Sequence, residues 1–258
     1  MSKTILITGA TSGIGTAVAK IFAEHNYDII ITGRRADRLD QIKKEISDVC
    51  KGGVTTLCFD VRDKGQVATA IASLADTGIE IDILVNNAGL ALGLSTIDEG
   101  STEDWETMID TNVKGLLYVT RQVAPLMKER ASGHIINIGS VAGQQVYKNG
   151  NVYCATKYAV DALTQGMRID LLNYGIKVTA VNPGMVETEF SLVRFKGDEA
   201  RAGSVYNDVN ALTAKDIADI VFYCASQPPH VCINDITVTP LTQANVCYSI
   251  KEADRIKA

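Results

Sequence analysis

Strand-sized apolar runs alternate with helix-sized amphipathic stretches along almost the whole chain, and this leaves few folds open. Thr4-Ile5-Leu6-Ile7-Thr8 is short and rich in β-branched residues, and it reads as a buried strand. Residues 28–32, 54–59, 81–85, 134–138, 177–181 and a last run near 236–238 read the same way. Helical periods fall between them: from Ile14 to about His25, then to about Val49, about 64–76, 102–130, 152–174 and 214–226. Ser101 or Thr102 is placed to cap the long 102–130 helix, and Pro125 predicts a kink in it. Residues 185–212 show no clean period. Strand–helix alternation of this kind builds an α/β fold, a parallel sheet with helices on both faces. No linker, repeat or low-complexity segment divides the chain, so residues 1–258 read as one domain.

Ligands of such sheets bind outside the carboxyl ends of the strands, at the topological switch point. Polar motifs stand at several of those ends. Gly9-x3-Gly13-x-Gly15 lies between the first strand and the first helix, where glycines let backbone approach a pyrophosphate and open the helix N-terminus to it. The second strand ends in Thr32-Gly33-Arg34-Arg35, with no acid before Asp37. An acid there suits the ribose hydroxyls of NAD, whereas two guanidiniums suit a phosphate dianion, so the pattern favours NADP. Asp60 and Val61 follow the third strand, placed to meet an adenine amino group; Asn86-Asn87-Ala88-Gly89 ends the fourth. Tyr153 and Lys157 are four residues apart on one helix face, a spacing that lets a positive charge favour a phenolate.

Composition excludes several other readings. A net charge of −5 argues against nucleic acid as the main partner. None of the six cysteines forms Cys-x-x-Cys and only three histidines occur, so no metal-ligand spacing appears and reduced thiols of a cytoplasmic protein are expected. Met1-Ser2-Lys3 leads straight into the first strand and the apolar runs are short, so neither a signal peptide nor a membrane span is expected.

In order and spacing, Thr8-Gly9-x3-Gly13-x-Gly15, Asn86-Asn87-Ala88-Gly89, Asn112, Ser140, Tyr153-x3-Lys157 and Asn182-Pro183-Gly184 resemble the short-chain dehydrogenase/reductase superfamily. The resemblance implies a Rossmann-type doubly wound sheet of about seven strands, with a cofactor half at about 1–135 and a catalytic and substrate half at about 136–258. It implies Tyr153 as acid/base, Lys157 on the nicotinamide ribose and tuning Tyr153, Ser140 on the substrate oxygen, and Asn112 holding a relay water. NADP contacts are expected from Gly9, Thr11, Ser12, Gly13, Ile14, Gly15, Arg34, Arg35, Asp60, Val61, Asn87, Tyr153, Lys157, Pro183, Gly184, Val186 and Thr188. A homotetramer is the family expectation.

Three further segments, 87–93, 103–112 and 189–198, are similar to the NADP-dependent 3-hydroxy acid dehydrogenases, also called serine or L-allo-threonine dehydrogenases. That likeness implies small 3-hydroxy acids as substrates: serine, allo-threonine, 3-hydroxypropionate or 3-hydroxyisobutyrate. Such a substrate needs a grip on its carboxylate. Arg194, Lys196 and Lys148 are the candidates, and Arg194 is preferred for its planar fork. The aperiodic 185–212 segment is the expected lid. Two alternatives stand beside this reading: a broad carbonyl reductase of the same fold, and a nucleotide-sensing binding protein, which the retained Ser140, Tyr153 and Lys157 disfavour.

Overall fold

The computed structural model describes residues 2–75, 77–207 and 209–256. Asp76, the last residue of the expected third helix, lies outside them. The seven-stranded sheet is parallel throughout, in the order β3-β2-β1-β4-β5-β6-β9. The strands are β1 (Thr4–Ile7), β2 (Asp28–Gly33), β3 (Val54–Cys58), β4 (Ile83–Asn86), β5 (Gly133–Ile138), β6 (Ile176–Pro183) and β9 (Asp235–Val238). The chain steps outward from β1 to β3, then returns to the other side of β1 with β4. This Rossmann-type winding places the switch point between β1 and β4.

The unbroken apolar runs follow from burial on both faces. Ile5, Ile7, Ile29, Ile31, Ile83, Val85 and Ile136 join one core with α1 (Gly13–Glu24), α2 (Ala36–Ser47) and α9 (Ala214–Ala225). The residues between them, Leu6, Ile30, Leu84 and Ile135, point the other way. They pack with α3 (Lys64–Ala75), α5 (Leu116–Glu129) and the end of α6 (Asn151–Leu171). Each such aliphatic side chain contributes roughly 1.5–3 kcal/mol on burial, so both helix layers are anchored by the same strands.

The expected 102–130 helix is interrupted, and not at Pro125. It comprises α4 (Thr102–Ile109), a π-helical segment (Asp110–Gly115) and α5, which contains Pro125. Gly115 brings this segment against β3's neighbour Val61, whose Cγ2 would lie 2.7 Å from an added Cβ. Of the two candidate caps the structure selects Ser101, whose hydroxyl accepts from the Asp104 amide at 3.2 Å. The 185–212 segment is also more ordered than its sequence implies. It holds β7 (Val186–Glu187), α7 (Phe190–Arg194), α8 (Glu199–Ser204) and β8 (Leu212–Thr213), with β7 and β8 paired in parallel. Elements of two to six residues are too short to print a period. All six cysteines are free thiols. Among the described residues no helix is long and apolar enough to cross a membrane.

His134, at the start of β5, is 3 % exposed. Its Nε2 lies 2.8 Å from the Thr179 hydroxyl, which itself donates to the Ile233 carbonyl. Nε2 therefore carries the ring proton and Nδ1 is left buried without a partner among the described residues. Protonating Nδ1 would create a buried, unpaired charge, and burial holds the ring at about 3. A histidine depressed in the folded state resists the proton that the unfolded chain accepts, so stability falls as pH drops from about 6.5 toward 3. Between pH 7 and 5 this group should remove about 2 kcal/mol. Urea unfolding of His134→Gln should show a pH loss smaller by that amount; an identical pH dependence would exclude the assignment.

Candidate active site

The three glycines after β1 do different work. Gly9 takes φ +64°, and an added Cβ would lie 2.8 Å from the Ala88 Cα. Gly13 takes φ +52° and faces Thr188 at 3.2 Å. At Gly15 the missing Cβ lets α1 settle on the strand ends, since an added one would lie 2.5 Å from Gly9 O and 2.6 Å from Asn87 Nδ2. Asn87 stitches across the switch point, its Nδ2 donating to Thr8 O at 2.9 Å and Gly9 O at 3.0 Å. The Thr8 hydroxyl accepts from the Asn87 and Ala88 amides in return, each at 3.0 Å.

Above this loop runs a cleft of about 360 Å³. It extends from Arg34 and Arg35, past Asp60, Val61 and Asn87, to Ser140, Tyr153 and Lys157, with Pro183, Gly184, Val186 and Thr188 along its far wall. Thr11, Ser12 and Ile14 line its floor with Gly9 and Gly13. Arg35 is anchored on Thr11, donating from Nη2 to its carbonyl at 3.1 Å and to its hydroxyl at 3.2 Å. Arg34 lies 3.9 Å from Asp60, whose carboxylate is mainly held by Arg62 Nη2 at 2.6 Å. Burial raises the Asp60 pKa, but the Arg62 hydrogen bonds outweigh it and hold the carboxyl below its usual range. Two residues at this mouth escape a reading of the sequence, Arg38 and Glu189, which pair at 3.3 Å across the cleft edge. Arg38 follows Arg34 and Arg35 in the first turn of α2, and nothing local marks Glu189.

At the other end, α6 carries Tyr153 and Lys157 beneath the end of β5. Lys157 is buried, and its Nζ donates to the Ile138 carbonyl at 2.9 Å. Burial lowers its pKa to about 8, so it stays mostly protonated at neutral pH. Ser140 caps the turn Val141–Gly143, its Oγ accepting from the Ala142 amide at 3.1 Å. Tyr153 moves against expectation. Burial raises its pKa, and the leading opposing influence is the Arg194 guanidinium, ahead of the Ser140 hydroxyl.

Asn112 sits in the π-helical segment, and its carboxamide is a brace. Oδ1 accepts from the Leu90 amide at 2.8 Å, while Nδ2 donates to Leu90 O at 2.8 Å and to the Thr156 hydroxyl at 3.0 Å. Thr156 in turn donates to Tyr153 O at 2.7 Å. Both amide protons are thus spent on protein partners, one of them linked directly to the Tyr153 backbone.

Beyond Tyr153 a narrow pocket of about 30 Å³ is walled by Leu92, Trp105, Met108 and Arg194. The Arg194 guanidinium lies 5.0 Å from the Tyr153 ring centre and 5.2 Å from that of Phe190. Its Nη2 donates to Tyr147 Oη at 2.6 Å, and its Nε is buried without a partner among the described residues. Of the three candidate carboxylate grips, the structure brings Arg194 to the tyrosine. Lys196 is paired with Asp104 at 2.9 Å, and Lys148 is exposed.

Residues 3–198 match the family model for short chain dehydrogenase. The NADP-dependent 3-hydroxy acid dehydrogenase of Salmonella typhi is 48% identical over 247 residues, covering 95% of this chain and 98% of that protein. The serine 3-dehydrogenase of Agrobacterium fabrum is 44% identical over 251 residues, covering 97% and 98%. Among solved structures, the closed form of a serine dehydrogenase complexed with NADP+ superposes with a TM-score of 0.90 at 44% identity, covering 96% of this chain and 99% of that one.

Proposed function

We propose that this chain, which belongs to the short chain dehydrogenase family, is an NADP-dependent oxidoreductase that interconverts small 3-hydroxy acids and the matching carbonyls. The observation that carries the reading is the placement of Arg194 over the Tyr153 ring. It puts a fork for a carboxylate beside the group that handles the hydroxyl proton. The names of the 44–48% identical relatives support the same substrate class.

The residues present fit NADP. Gly9 and Gly13 line the floor where a pyrophosphate would lie, and Arg34 and Arg35 line the mouth where the extra phosphate belongs, with Arg38 beside it on Glu189. When bound, NADP supplies the hydride chemistry. Ser140 and Tyr153 hold the substrate oxygen, Tyr153 gives or takes its proton, and Lys157 reaches the ribose side of the cleft. Asn112 keeps this end of α6 in register through Thr156. Arg194, whose Nε is unspent, receives the carboxylate. Serine, allo-threonine, 3-hydroxypropionate and 3-hydroxyisobutyrate all offer that pair of groups. The enzyme works as a cytoplasmic homotetramer, a reading supported by the exposed Leu117, Ile169 and Leu172 on and beside α5 and α6.

The test is a panel of 3-hydroxy acids and neutral alcohols of equal size, each assayed with NADP and with NAD. Expected are kcat/KM values at least about tenfold higher for the acids and for NADP, since a charge-assisted pair supports that factor. Equal values for acids and neutral alcohols would favour the broad carbonyl reductase instead.

A further inference from the structure

The basic mouth of the cleft already holds a carboxylate belonging to the chain itself. Glu189 immediately precedes α7, and each of its oxygens takes one arginine: Oε2 lies 3.4 Å from Arg35 Nη2 and Oε1 lies 3.3 Å from Arg38 Nη2. The pair of contacts spans 151 and 154 residues of chain. We propose that Glu189 is an internal competitor for a phosphate monoester at this site. It thereby sets how strongly the enzyme prefers phosphorylated over unphosphorylated dinucleotides. The proposal rests on the NADP reading above.

Three observations favour competition over support. Arg35 does not need Glu189 to be held in place, because Thr11 anchors the same Nη2 through two oxygens. Arg38 is likewise steadied by Gln41 Oε1, at 3.3 Å from its Nη1. Both contacts to Glu189 are longer than the 2.7–2.9 Å usual for charge-assisted bonds, and the three side chains are 39–45% exposed. Solvent-screened pairs of this length are weak and readily exchanged. A phosphate dianion carries more charge and a third oxygen than the carboxylate it would displace. Since Glu189 adjoins Phe190, which packs on Tyr153 at 5.6 Å, the exchange also unties the end of the segment that covers the tyrosine.

The experiment titrates the full-length protein by calorimetry with adenosine 2′,5′-bisphosphate and with adenosine 5′-phosphate, probes that differ only in the 2′-phosphate. Wild type should prefer the bisphosphate. Glu189→Gln, which keeps the side-chain shape, should tighten the bisphosphate about 3–10-fold and leave the monophosphate within about twofold, the size two screened pairs support. That gain should shrink in 0.5 M salt, where the Debye length falls to roughly 4 Å. Bisphosphate affinity that is unchanged or weaker in Glu189→Gln would overturn the proposal while leaving NADP use intact. A wild type that binds both probes equally would overturn the NADP reading and the proposal with it. An unaltered circular dichroism spectrum and melting curve establish that the variant is folded.

Discussion

Tyr153→Phe is expected to lower kcat roughly 10²–10⁴-fold, the range that a positioned proton-transfer group supplies. The dissociation constant for NADPH, read by fluorescence titration, should change less than about twofold, since the phosphate-binding glycines and arginines lie at the other end of the cleft. The fold should be equally indifferent. A phenylalanine ring keeps the edge contact with Phe190 at 5.6 Å and the Arg194 contact at 5.0 Å, and it loses only a hydroxyl. The outcome that would remove Tyr153 from the chemistry is a variant retaining more than about a tenth of wild-type turnover, a loss below the general acid–base range.

Arg194→Ala should separate two effects that one residue combines. The first concerns substrate. Losing a charge-assisted grip on a carboxylate costs about 1.5–3 kcal/mol, so kcat/KM for serine should fall roughly 10–150-fold. A neutral alcohol should lose far less. The second concerns the proton. Arg194 is the main influence holding the Tyr153 pKa down against burial, so its removal lets the phenol rise further. For alcohol oxidation the phenolate is the active form. The rising limb of the pH–rate profile should therefore move to higher pH in Arg194→Ala, and Arg194→Lys should restore much of that limb while restoring less of the serine affinity, because an ammonium lacks the fork. Equal losses on serine and on the neutral alcohol would dismiss Arg194 as the carboxylate grip, and an unmoved pH limb would dismiss its hold on the tyrosine.

The parts of the site that could be read from the sequence are those built within a few residues. A glycine pair at positive φ between a strand and a helix, a serine after β5 and a Tyr-x3-Lys on one helix are all local patterns. Their placement at strand ends followed from the alternation alone. A glycine needed for packing, as at Gly15, looks the same in sequence as one needed for a ligand. The commitment of the Asn112 carboxamide to Leu90 and Thr156 depends on a π-helical turn, and no residue pattern announces one. The helices α7 and α8 are shorter than two turns and carry no hydrophobic period to find.

Sequence by itself determined the α/β architecture and the local placement of the serine after β5 and of the tyrosine and lysine on one helix. Turn chemistry and hydrophobic period act over a few residues, and the chain records them directly. Only the tertiary structure decided which charges meet. It set Glu189 on Arg35 and Arg38, brought the Arg194 guanidinium to the Tyr153 ring, and left one nitrogen of His134 buried without a partner among the described residues. Coulomb and desolvation energies depend on distance and burial, and groups that lie 151 residues apart in the chain acquire both only when the sheet brings its strand ends together.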